Sequence, residues 1–123
     1  DDDATRKEIQ DALEANLDTN YAWMSEASGK PFFMHQFNAG GILSPYEVDR
    51  LPGKKALREH WQQQVRWHRA LLNAIEERDW IVGVNLFPYD MTNAGGIITA
   101  SIRGKPAEQL LAKWARRITA ITE

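Results

Sequence analysis

With 123 residues, the chain has room for one ordinary domain and one core rather than two. Its 15 basic and 17 acidic residues leave a net charge of -2, which excludes a global field that would draw in nucleic acid or an anionic membrane. The lack of cysteine excludes disulfides, thiolate nucleophiles and cysteine-based zinc or iron–sulfur centres.

From Thr5 to about Ala27 the apolar positions Ile9, Leu13, Leu17, Tyr21 and Met24 recur at helical spacing behind an acidic start. The run predicts an amphipathic helix that Ser28-Gly29-Lys30-Pro31 ends. Pro31 to Phe37 is short and aromatic and reads as extended; Ile42 to Val48 reads the same way, with Pro45 confining it to a sheet edge. After the break at Leu51-Pro52-Gly53, Lys54 to Arg78 predicts the longest helix, with Leu57, Trp61, Val65, His68, Leu72 and Ile75 on its buried stripe. Trp80 to Phe87 reads as a central strand, with Trp80, Val82, Val84 and Leu86 on one face and Ile81, Gly83, Asn85 and Phe87 on the other. Ile97 to Arg103 is a further alternating segment. Gly104-Lys105-Pro106 then opens a last helix, 106–121, buried through Leu110, Leu111, Trp114, Ile118 and Ile121.

The tetrapeptide Asn-Ala-Gly-Gly occurs twice, at Asn38–Gly41 and Asn93–Gly96, each time before an apolar segment. A phosphate-cradling glycine loop runs from a strand into a helix N-terminus, whereas these run towards strands, so turn chemistry is the better reading. The two halves share a grammar, with a helix-plus-hairpin unit over 5–50 and another over 54–103. The expectation is therefore a single α+β domain, 1–123, with a four-stranded sheet made by duplication, helices packed on it and a C-terminal helix.

Chemical motifs are sparse. His60, Gln64 and His68 follow one another at four-residue intervals, but glutamine is a poor ligand and two imidazoles fall short of a transition-metal site. The expectation is no metal and no cofactor, with His68 a core or boundary histidine and His60 at the solvent margin. No serine lies in a catalytic spacing, so no catalytic residue is assigned. Arg58, Arg66, Arg69, Arg103, Lys105, Lys113, Arg116 and Arg117 offer a local basic patch, but Glu59, Glu76, Glu77 and Glu108 are interleaved with it, which argues against nucleic acid.

Five tryptophans, three tyrosines and four phenylalanines exceed what one small core readily encloses. Trp23 and Trp67 lie beside their helices' stripes, adjacent Phe32 and Phe33 must face opposite ways on a strand, and Arg66 and Tyr89 are of the types that interfaces favour. The leading expectation is thus a non-enzymatic interaction module that binds a protein partner or itself. The rival is a ligand-binding or catalytic cleft with His35, Asn85, Asp90 and Asn93 converging, motivated by an asparagine in an apolar strand whose amide must be satisfied. A nucleic-acid accessory protein is the third. The start at Asp1-Asp2-Asp3, without methionine, is expected of a removed leader, a trimmed chain or a domain cut from a longer protein, which leaves open a cytoplasmic chain, an exported domain lacking its leader or one tethered to a membrane.

Overall fold

The computed structural model describes residues 5–37, 53–86, 89, 91 and 101–122. The chain begins with α1 (Arg6–Asn20), α2 (Ala22–Ser28) and β1 (Phe32–Phe37), and continues with α3 (Gly53–Glu76), β2 (Ile81–Leu86) and α4 (Pro106–Thr122). Among the described residues, no helix is long and apolar enough to cross a membrane.

Thr5 starts α1 with a capping box. Its hydroxyl accepts from the Glu8 N–H (3.3 Å), and its own N–H donates to Glu8 Oε2 (2.7 Å), satisfying two donors that the helix itself leaves open. The expected single helix over 5–27 is broken at Tyr21, whose backbone (φ -125, ψ -28) leaves the helical region. The break brings the Tyr21 ring within 5.3 Å of Phe32, and Phe32 in turn meets Trp80 edge-on at 5.9 Å. Gly29, in the left-handed region at φ 62, then caps α2 without the strain a side chain would incur.

The sheet overturns the expected four-stranded, duplicated plan. Among the described residues it has two strands, and β1 pairs with β2 in parallel through the α3 crossover. Each strand was expected to find its partner in the next segment along the chain, which a tight turn permits only for antiparallel neighbours; parallel pairing needs a connection long enough to hold a helix. Both Asn-Ala-Gly-Gly turns, the segment Ile42 to Val48 and residues 97–100 lie outside the described residues. Ser101 and Ile102, the end of the fourth expected strand, lead without strand structure into a turn at Arg103–Gly104.

The strand faces also differ from simple alternation. Phe32 lies opposite Ile81 but Phe33 opposite Gly83, so Val82 is an extra residue on β2. Between Met34–Val84 and Phe37–Leu86 the surplus moves to β1, and the two irregularities cancel. With Val82 bulged out, Ile81, Val84 and Leu86 all face the core, as Met34 and Phe37 do from β1.

That core is built on the C-terminal half of α3. Leu71, Leu72 and Ile75 form its buried centre, packed by Leu13 from α1, the inner face of the sheet, and Leu110, Leu111 and Trp114 from α4. Ala70 and Ala74 are fully buried and let neighbours approach closely. Asn73 is satisfied by donating to Gln10 Oε1 of α1 (3.1 Å). Just beyond the helix, Arg78 grips Asp18 of α1 through two hydrogen bonds (2.7 and 2.5 Å) and the Ala74 carbonyl through a third (2.7 Å).

This Arg78 pair holds the Asp18 carboxyl below its ordinary range. Its contribution is complete above the unfolded-state value of ~3.9 and is lost as pH falls through the lower folded-state value. Asp18 is more than half exposed, so the expected loss in Asp18→Asn at neutral pH is a few tenths to about 1 kcal/mol after screening. Urea unfolding from neutral to acid pH checks this: the gap between wild type and variant should close at the acid end.

Candidate functional site

Three regions depart from an ordinary core-and-surface arrangement. The first is the N-terminal half of α3, where polar residues are inside. His60, Gln63, Gln64 and His68 are buried, and Ser101 and Lys105 from the approach to α4 are buried as well. His60, Gln64, His68, Leu71 and Ile75 follow one another at three- and four-residue steps, so this is one continuous inner stripe that changes from imidazole and amide to leucine halfway along. The stripe predicted through Trp61 and Val65 lies to one side of it, and both of those residues are only half-buried.

Burial has electrostatic consequences. The His68 Nδ1–H donates to the Gln64 carbonyl (2.8 Å), while the ring meets Phe37 edge-on at 6.0 Å. Loss of solvent is the main reason its pKa is lowered, against the opposing effect of that hydrogen bond. His60 is 2% exposed, not at the solvent margin as expected, and neither ring nitrogen has a hydrogen-bond partner. Its pKa is lowered by burial first and by the Lys105 charge second; Lys105 is itself lowered by burial. Among the described residues, no three His, Asp or Glu side chains gather to hold a metal.

The second region is the outer face of the sheet. Phe33 is 54% exposed, Val82 62% exposed, and His35 and Asn85 are exposed too. The Phe33 ring lies across Gly83, where an added Cβ would come within 2.7 Å of Phe33 Cε2. Tyr21, Trp23 and Met24 are exposed at the start of α2, and Tyr21 also meets Phe32 of β1.

The third region comprises two open grooves along α4. One, of about 270 Å³, is lined by Arg69, Leu72, Asn73, Leu110, Lys113, Trp114 and Arg117. The other, of about 530 Å³, is lined by Trp61, Gln62, Val65, Arg66 and Pro106.

The residues singled out from the sequence are therefore distributed unevenly. Phe32 packs on Tyr21 and is half-buried, while Phe33, on the opposite face of β1, and Trp23, on α2, are exposed. Arg66 lies in the second groove, and Trp67 is half-buried beside it on α3. Tyr89 is exposed at the start of α4, where its hydroxyl donates to Glu108 Oε1 (2.5 Å) while Glu108 Oε2 accepts from the Gly104 N–H (2.8 Å). Of the expected cleft, His35 and Asn85 are on exposed strand positions, so the Asn85 amide meets solvent and is not buried; Asp90 and Asn93 lie outside the described residues. The burial of His60 and of Gln63 was missed. The available signal was a run of uncharged polar residues in a helix whose other polar positions are mostly charged.

Compared with known protein families, characterised proteins and solved structures, the chain matches none of them. Its function is argued from these regions alone.

The inner polar stripe makes stability depend on pH with a definite sign. His60 and His68 are lowered in the folded state, so the unfolded chain takes up protons first as pH falls below ~6.5, and stability declines there by at most ~1.4 kcal/mol per pH unit for each proton. Denaturation midpoints taken between neutral and mildly acid pH should fall in the wild type and fall less in His60→Leu. At neutral pH His60→Leu should be as stable as the wild type or more so, because it removes two nitrogens that have no partner.

Proposed function

We propose that the chain is a non-enzymatic protein-interaction module that docks through the outer face of the β1–β2 sheet and the adjoining start of α2. The observation that carries this reading is the pair of large apolar side chains, Phe33 and Val82, left more than half exposed on a parallel sheet. Parallel sheets are covered on both faces in nearly all folds, because their strands carry apolar residues on both. Here α3 covers the inner face, and α4 packs on α3 rather than across the strands.

A second copy of the chain is the simplest occupant. Among the described residues each strand has one neighbour, so two sheets can also meet edge to edge. Trp23 and Met24 are exposed apolar side chains on α2, and aromatic side chains of this kind act as interface anchors.

Sedimentation equilibrium of the wild type and of Phe33→Asp tests the reading. Association should be concentration-dependent in the wild type and lost in the variant, with the urea midpoint of the dilute, dissociated chain little changed because more than half of Phe33 is exposed. A wild type that stays monomeric, or a variant that associates equally, would overturn self-docking. Gly83→Ala probes the same face without adding charge: its methyl group must push the Phe33 ring aside, so it should weaken association while changing stability by less than about 1 kcal/mol.

A further inference from the structure

The groove of about 270 Å³ between α3 and α4 has a chemistry that the sheet face does not share. Three of its lining side chains are cations, Arg69, Lys113 and Arg117, joined by the Asn73 amide, the Trp114 ring and an apolar floor at Leu110. The lining holds no carboxylate among the described residues. Arg117 is held by Glu76 outside the lining, whereas Arg69 and Lys113 have no carboxylate partner among the described residues.

Each lining residue sits on one of two helices that are locked together through Leu72, Leu110 and Trp114 against the core. On α3 the positions are 69, 72 and 73, and on α4 they are 110, 113, 114 and 117, the three- and four-residue steps of a single helix face. The packed helix backbones keep their relative positions without a ligand, and the exposed Arg69 and Lys113 side chains are ordered by the ligand itself. The volume falls just below the ~300–1,000 Å³ of pockets that take drug-sized ligands, so the occupant is small.

We infer that this groove binds a small organic anion, a carboxylate carried on an apolar or single-ring body. Arg69 and Lys113 take the carboxylate by charge-assisted hydrogen bonds, and the body lies on Leu110 and the Trp114 ring. Asn73 spends one amide hydrogen on Gln10, which leaves its other hydrogen and its carbonyl for the ligand's polar end.

Titration of the ¹⁵N-labelled chain with sodium phenylacetate and sodium 3-methylbutanoate, at fixed ionic strength, tests the inference, with 2-phenylethanol as the uncharged control. Saturable shifts should be confined to amides 69–73 and 110–117 and the Trp114 indole N–H, and the alcohol should cause none. Arg69→Glu and Lys113→Glu should each weaken binding about tenfold or more, Lys113→Gln less, and Arg66→Glu in the other groove not at all. Arg69 and Lys113 are at exposed helix positions and Arg66 is half-buried, and dispersed spectra will show that the variants fold. If neither carboxylate gives a saturable shift by about 10 mM, enough to reveal even millimolar affinity, the inference fails. It also fails if the alcohol binds equally or the charge reversals leave affinity unchanged.

Discussion

The described elements lean on a short stretch of α3 that is buried at every position but one. From Ala70 to Ile75 the helix is apolar at every position but one, and the exception, Asn73, is tied to Gln10 of α1. A helix that is apolar all round must be enclosed, and here the enclosure is supplied by α1, the sheet and α4. A fully buried leucine contributes ~1.5–3 kcal/mol, so Leu71 and Leu72 are large stabilisers in a domain of this size. The two alanines matter for a different reason: with no more than a methyl group to accommodate, neighbouring elements approach the α3 backbone and meet one another around it.

The other half of α3 obeys a different rule. There the inner stripe is made of His60, Gln64 and His68, with Gln63 beside them and the Lys105 charge acting on His60. Buried polar groups contribute little net stability, yet each has directional demands that an apolar side chain lacks. One half of the helix therefore supplies cohesion, and the other half restricts how the chain can be arranged around it.

Periodicity made most of the elements legible and said little about their partners. α3, α4 and both strands fall within a few residues of where their apolar patterns place them. The break at Tyr21 was hidden because its ring continues the α1 stripe, and only the contact with Phe32 shows why the backbone turns there. Parallel pairing could not be read from short turn-like motifs, since strand direction is decided by packing on α3. The faces of β2 were misassigned at Ile81 and Val82, because a bulge leaves no mark in composition, whereas Val84 and Leu86 share a face as the alternation places them. Among site residues, the exposure of Trp23 and Phe33 was readable as a departure from a stripe. The cations of the α3–α4 groove were visible only as scattered charges, because it takes the packing of two helices to set Arg69 beside Lys113.

The crossover has a further consequence for synthesis on the ribosome. β1 emerges long before β2, the only partner it has among the described residues, and α3 must be made in between. At ~5–20 residues per second, the passage from Phe37 to Ile81 takes several seconds. During that interval the nascent chain displays FFMHQF, an aromatic hexapeptide with no acidic residue, lysine, arginine or proline, the kind of segment that stacks with copies of itself. α3 thus stands between β1 and its shelter in time as well as in sequence, and a growing chain must keep that strand from its neighbours on the same polysome until the second strand arrives.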